Sequence, residues 1–216
     1  MTSILMTMTK PVKHSAIALA TLTMLYEEPM HPYRMQQLIK ERGKDEVINV
    51  TQRTSLYQTI NRLEREGLVA AQGVSRDENR PERTVYELTP AGRQTMVEWM
   101  RKILSTPSPE FPEFPAAISV LAVLTPKDAR QQLERRIVAL EAELKRIEGL
   151  QAQASFLPRL FLLEMELLRA TCATELKWVR SVVEDIRSGK LTWSEKWLRK
   201  MAREFSQQHD PKQQTK

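Results

Sequence analysis

Residues 47–93 constrain this chain more than any other stretch. They read VINVTQRTSLYQTINRLEREGLVAAQGVSRDENRPERTVYELTPAGR. Within them Leu56, Ile60 and Leu63 stand at i, i+4 and i+7, the apolar stripe of an amphipathic helix predicted over Thr51–Arg65. Ser55, Gln58, Asn61, Arg62 and Arg65 fall on the opposite side. Glu66-Gly67-Leu68-Val69 ends the helix at a glycine, which takes the left-handed C′ conformation without a Cβ clash. Two short strands are predicted next, Leu68–Val74 and Arg83–Leu88, joined by a polar, basic loop. A helix followed at once by a two-stranded wing is the reading unit of a winged helix-turn-helix, which lays the helix in the DNA major groove. No phosphate loop, metal-ligand spacing or catalytic constellation competes with it, so an enzyme is not expected.

Composition narrows the class without deciding it. The 216 residues are 41% hydrophobic with only six glycines, which fits a packed protein of one large or two small domains. Net charge is +6 and the pI about 9.5. Its distribution is uneven: 14 basic residues against 12 acidic over 13–106, 11 against 12 over 107–189, and 7 against 3 over 190–216. Total charge alone therefore points to the tail, and an expectation of DNA binding has to rest on the helix and wing. The lone Cys172 excludes an internal disulfide and suits a reducing cytosol. Its apolar surroundings favour a buried small hydrophobe over a redox sensor. MTSILMTMTK is too short for a signal segment, and no apolar run reaches spanning length, so a cytoplasmic location is expected.

The expected organisation is mainly α. Residues 1–12 form a flexible arm. Residues 13–106 form the winged domain, with three helices, the wing and a linker helix. Ser15–Tyr26 is the first helix, Pro32 opens the second at its N1 position, and Thr89-Pro90 starts a fourth that carries Met96, Trp99, Met100 and Ile103. Four prolines in 106–115 mark an extended linker, placed at 107–115. Residues 116–189 read as a helical, coiled-coil-like dimerisation domain. There Leu133, Ile137, Leu140, Leu144 and Ile147 alternate spacings of 4 and 3 over two heptads. A last long helix, Phe156–Arg187, carries Leu168, Cys172, Leu176, Val179 and Val183 and begins with the nearly all-apolar FLPRLFLLEMELL. Such a start needs cover on several sides, which a partner subunit supplies most simply. Residues 190–216 form a basic extension with Trp193, Trp197, Leu198, Met201 and Phe205 at helical spacing.

Several of these pieces in order resemble the PadR family of transcriptional regulators: PMHPYRMQQLIKERG, SLYQTINRLEREGLV, RTVYELTPAGR and the heptad-bearing second half. The resemblance spans about residues 14–188. It implies a homodimeric repressor that binds a dyad-symmetric operator on double-stranded DNA and is released by a small, often phenolic, effector. His31-Pro32-Tyr33 departs from the family's frequent His-Gly-Tyr. Thr54 stands where a glycine often precedes Ser-Leu-Tyr; it can cap the helix or reach a phosphate. A MarR-like sensor shares the YELTPAGR wing, although such proteins build their dimer from both chain ends. A protein-interaction winged helix without specific DNA binding is the alternative of another class.

Residue by residue, Ser55, Gln58 and Asn61 are the candidate base readers, since Gln and Asn match adenine in the major groove. Arg53, Arg62 and Arg65 are candidate phosphate clamps. Tyr57 matches the family's recognition-helix tyrosine, either donating to phosphate or packing at the helix edge. Arg76, Asn79, Arg80 and Arg83 are the wing candidates, diluted by Asp77, Glu78 and Glu82. Tyr86 reads as a packed residue, and His31 as a surface group ahead of a phosphate contact. His14 and His209 lack ligand-spaced neighbours, so neither a metal nor a cofactor is expected. Trp99, Phe161, Met165 and Trp178 each read first as hydrophobic core. Together they are the candidate walls of an effector pocket.

Overall fold

The computed structural model describes residues 14–49, 53–75 and 83–208. The arm 1–12 and the wing residues Arg76, Asn79 and Arg80 lie outside the described residues. Helix α1 spans Ala16–Glu27, and the Ser15 hydroxyl accepts the Ala18 amide at 3.3 Å. That bond satisfies one of the N–H groups a helix start leaves unpaired. Helix α2 spans Pro32–Glu41, and its cap is His31, whose Nδ1 accepts the Arg34 amide at 3.1 Å. The histidine expected as a surface group is therefore a half-buried structural cap. Helix α3 spans Arg53–Arg65.

Leu22 of α1, Met35 and Ile39 of α2, and Leu56, Ile60 and Leu63 of α3 are almost wholly buried together. Each contributes about 1.5–3 kcal/mol by leaving water. That sum holds α3 by its inner face and leaves its other face outward. Gly67 ends α3 at φ 69°, in the left-handed region where an L side chain is strained. Strand β1, Val69–Ser75, pairs antiparallel with β2, Arg83–Leu88, setting Val69 opposite Leu88 and Ala71 opposite Tyr86. The register slips by a residue between Ala71 and Gly73. Beyond β2, Met30 exchanges both backbone hydrogen bonds with Tyr86, each 3.1 Å, adding a one-residue third strand to the wing.

Helix α4, Pro90–Ser105, is locked to this sheet at its first turn. The Thr89 hydroxyl donates to the Gly67 carbonyl at 2.7 Å and accepts the Gly92 amide at 3.0 Å. Gly92 has no room for a side chain, because a Cβ there would stand 2.0 Å from the Leu68 carbonyl oxygen. Met96 and Trp99 close the core, and the His14 ring meets Trp99 edge-on at 6.2 Å.

The chain divides into two compact units between Pro109 and Glu110. Two expectations for the second unit need correction. Helix α5, Glu113–Ser119, begins inside the stretch 107–115 expected to be linker. Pro112 is its cap and Pro115 sits in its first turn, where a missing N–H breaks no helical bond. The long helix expected over Phe156–Arg187 starts only at Leu163: a turn and a short 3-10 segment, Arg159–Phe161, follow Pro158. Helix α6, Pro126–Gln153, and helix α7, Leu163–Arg187, form an antiparallel hairpin within one chain. Leu133 and Ile147 of α6, and Cys172, Leu176, Val179 and Val183 of α7, are buried with no second protomer present; Ile137, Leu140, Leu144 and Leu168 are half-buried. Within one chain these residues form the seam of the α6–α7 hairpin. Cross-hairpin ion pairs Arg136–Glu175, Arg180–Glu141, Arg169–Glu148 and Arg187–Glu134 span 2.5–3.2 Å.

After Gly189, the Trp193 indole N–H donates to the Leu124 carbonyl at 2.8 Å, and helix α8, Glu195–Gln208, follows. None of the described helices is long and apolar enough to cross a membrane.

The Gly92 contact generates the first prediction. Gly92→Ala should lower the unfolding free energy of the full chain by about 3 kcal/mol or more, through overpacking against a fixed carbonyl. Gly73→Ala, which meets open space, should change it by less than about 0.5 kcal/mol. Denaturant unfolding of both variants checks this; equal effects would mean that the Leu68 carbonyl yields.

Candidate nucleic-acid interface

Helix α3 separates its side chains by the 3.6-residue period. Leu56, Thr59, Ile60 and Leu63 turn into the core, and the Thr59 hydroxyl is satisfied by the Ser55 carbonyl at 2.7 Å. Tyr57, Gln58, Asn61, Glu64 and Arg65 stand exposed on the other side, while Ser55 and Arg62 are half-buried at its margins. From Tyr57 to Arg65 this stripe runs about 12 Å. That is a fit for the major groove, where a recognition helix places three or four side chains on base edges.

The stripe is chemically mixed. The Gln58 and Asn61 amides make no hydrogen bond among the described residues, so both are available for a donor–acceptor pair on a base edge. Arg65 bends back along its helix, its Nε donating to the Asn61 carbonyl at 3.3 Å. A guanidinium at a helix C-terminus also meets the negative end of the helix dipole. That posture suits a phosphate clamp better than a base contact. Arg53 and Thr54 open α3, but their side chains, like that of Arg83 at the start of β2, lie outside the described residues.

Glu64 was missed in the sequence and belongs to the site. It is an exposed carboxylate on the outer stripe, one turn beyond Asn61. A carboxylate there repels phosphate and accepts only from a donor such as the cytosine amino group. Its signal was available: Asn61, Glu64 and Arg65 share the exposed side of one helix. Glu64 also bears on Tyr86. Burial, then the charge of Glu64, then the neighbouring Tyr57 push the Tyr86 hydroxyl above its ordinary pKa. Tyr86 is thus neutral at physiological pH and partly buried at the meeting of wing and helix.

Two contacts steady the helix-turn-helix. Arg42 grips Glu27 through two hydrogen bonds, 2.6 and 2.7 Å, tying the end of α2 to the end of α1. That bond holds the Glu27 carboxyl below its usual range. Its contribution is present at neutral pH and fades as acid protonates the group, and exposure keeps it small. Arg93 of the TPAGR segment lies over the Tyr26 ring at 4.4 Å, binding α4 to α1.

The four residues grouped as an effector pocket are not brought together within either unit. Trp99 is 7% exposed in the core of the first unit. Phe161, Met165 and Trp178 belong to the second, where Trp178 lies roughly 20 Å along α7 from Met165 by helical rise. Trp178 instead meets Phe114 edge-on at 6.2 Å, and Arg136 lies over the Phe114 ring at 3.4 Å. Among the described residues no group of three His, Cys, Asp or Glu side chains is placed to hold a metal ion.

Residues 21–98, from α1 through the wing into α4, match the model of the transcriptional regulator PadR-like family. That segment, about a third of the chain, is similar to the PadR-like family. Solved structures share the fold of this chain at low identity. Bacillus subtilis PadR in complex with operator DNA is 19% identical, with a TM-score of 0.64 over 80% of this chain and 99% of that one. Bacillus subtilis PadR in complex with p-coumaric acid is 18% identical, with a TM-score of 0.62 over 80% and 99%. The Vibrio cholerae virulence activator AphA is 19% identical, with a TM-score of 0.62 and the same coverage. No curated protein matches by sequence.

The stripe separates readers from clamps in a measurable way. Gln58→Ala or Asn61→Ala should weaken binding to the preferred operator by about 1–3 kcal/mol and relax base preference at one position per half-site. Arg62→Ala should weaken all sequences alike and reduce the salt slope by about one unit. Binding isotherms on base-substituted operators at several salt concentrations distinguish the two; the reverse assignment would turn α3 over in the groove.

Proposed function

We propose that this chain is a homodimeric, sequence-specific DNA-binding transcriptional regulator, acting as a repressor at a dyad-symmetric operator. The observation that carries the reading is the exposed Tyr57–Arg65 stripe of α3, held beside a wing by a buried inner face. The operator complex of the structurally similar Bacillus subtilis PadR supports it. Repression is the simpler sign, because a dimer lying across a promoter blocks access with no surface beyond its DNA-binding face. An activator, AphA, shares the fold, so the sign belongs to promoter position and not to architecture.

Release by a small aromatic effector is the second part of the proposal, supported by the complex of the similar PadR with p-coumaric acid. Within the second unit Phe114, Trp178 and the Arg136 guanidinium, which is already paired with Glu175, form an aromatic group against which an effector ring could stack. A mobility-shift assay with p-coumarate as the probe tests release, and Arg136→Ala should blunt it.

Two-fold symmetry fixes the operator. Two α3 helices entering successive major grooves on one face of the duplex need half-site centres about 34–36 Å apart, or roughly 10 base pairs. Selection from random DNA should return a palindrome. Five base pairs inserted at its centre should cut affinity by about tenfold or more, by turning one half-site to the far side. Ten should restore part of it. Affinity indifferent to both insertions would show that the two heads bind independently, and recovery of no motif at all would leave the winged helix as a protein-interaction module.

A further inference from the structure

We infer that α8 is a basic amphipathic helix that binds an anionic lipid surface, lying in the plane of the membrane and not across it. The extension that carries it, 190–216, follows the span of the family resemblance. It holds 7 basic residues against 3 acidic, the largest excess of the three segments of the chain. Its root is fixed. Gly189 turns the chain at φ 79° after α7, Lys190 pairs with Asp185 at 3.0 Å, and the Trp193 indole holds the Leu124 carbonyl at 2.8 Å. Ser194 then starts the helix, its hydroxyl accepting the Trp197 amide at 3.2 Å. Neither hydrophobic core includes a residue of α8.

Along α8 the side chains sort by chemistry. At about 100° per residue, Trp197, Met201 and Leu198 fall within one arc of about 100°. Lys200, Lys196, Arg203 and Arg199 fall within a second arc of about 100° on the opposite side. Trp197 is 49% exposed, Leu198 and Met201 are half-buried, and all four cations are exposed. Arg199 pairs with Glu195 and Lys200 with Glu204, each one turn away on the same helix. Lys196 and Arg203 have no ion-pair partner among the described residues. Six of the 14 residues are charged, so the helix is hydrophilic overall yet divided into opposed arcs. That combination belongs to helices that seat at the headgroup boundary.

The occupant follows from the two arcs together. A nucleic acid would use the cations and leave the apolar arc in water. A groove on a partner protein takes apolar anchors at i, i+4 and i+7. Counted from Trp197 and Met201, the i+7 position is the exposed carboxylate Glu204. Anionic headgroups meet both arcs at once. The cations lie against lipid phosphates, and Trp197 enters the boundary, where an aromatic body with a polar N–H is at home. Such a helix sinks only about 5–10 Å, which a single projecting tryptophan flanked by Leu198 and Met201 can fill.

Co-sedimentation of the full-length chain with vesicles tests this. The chain should pellet with phosphatidylglycerol vesicles and stay in solution with phosphatidylcholine vesicles. Salt raised toward 1 M, where the Debye length falls to about 3 Å, should release it. Lys196→Gln and Arg203→Gln should each lower the partition coefficient about fivefold, and Trp197→Glu should abolish pelleting. All three positions are exposed, so each variant should unfold at the parent's midpoint. No pelleting with phosphatidylglycerol, or pelleting that Trp197→Glu leaves unchanged, would overturn the lipid seat. A third result would assign the cations to DNA instead: no pelleting, with affinity for a random duplex reduced by Lys196→Gln and Arg203→Gln but not by Trp197→Glu.

Discussion

The wing-bearing unit depends on one small set of hydrogen bonds around Thr89. Its hydroxyl donates to Gly67 and accepts from Gly92, and its amide donates to the Leu68 carbonyl at 3.2 Å. Gly67 and Leu68 are themselves tied back to Glu64 and Leu63 at 2.9 Å. The end of α3, the entry to β1 and the first turn of α4 therefore meet in a single backbone knot. The recognition helix and the wing are both anchored there. Gly92 explains the glycine in TPAGR: it is the close approach, not the turn, that forbids a side chain. Threonine and proline before it supply the cap and the preset first φ.

Much of this was legible because it is local. The α3 stripe, the glycine stop at Gly67 and the Thr89 cap all follow from period and from the unpaired groups at helix ends. What was not legible is pairing at a distance. A single extended residue, Met30, has no periodicity to announce its bond with Tyr86. The heptad pattern left its partner open for a related reason. An a/d pattern states that a helix buries one face, not whose helix covers it. Leu133 and Val179 meet within one protomer because a short turn lets α6 and α7 fold together. The prolines of 107–115 misled in the opposite direction, since Pro112 and Pro115 occupy the one helical turn that tolerates them.

The α6–α7 hairpin divides its labour between apolar contact and charge. Exposed ion pairs such as Arg180–Glu141 and Arg169–Glu148 contribute at most about 1 kcal/mol each. Yet a slide of one helical turn, about 5.4 Å, would break all four cross-pairs at once. The buried leucines and valines are indifferent to such a slide, being alike in shape and chemistry. Stability thus comes from the seam and register from the charges. Register matters beyond the hairpin, because it fixes which residues of α7 are left facing outward and where Trp193 finds the Leu124 carbonyl.

Charge also bears on why two heads are needed. The winged unit has 14 basic residues against 12 acidic, and its reading stripe includes the carboxylate of Glu64. Non-specific affinity for DNA grows with the number of phosphates neutralised, so a unit this nearly balanced holds an arbitrary duplex weakly. Under the proposed reading, discrimination rests on Gln58, Asn61 and Glu64, each of which would reward one base and penalise others, the carboxylate most sharply. A single stripe of three readers supplies only a few kcal/mol of preference at about 1–3 kcal/mol per good pair. In the proposed dimer, two such stripes are joined through the second unit, which makes the second engagement intramolecular. Preference is then counted over both half-sites, while weak non-specific binding leaves the protein free to exchange between sites. Under the proposed dimer the near-neutral face and the helical second unit work together: the first lowers background binding, and the second recovers affinity only where both half-sites are correct.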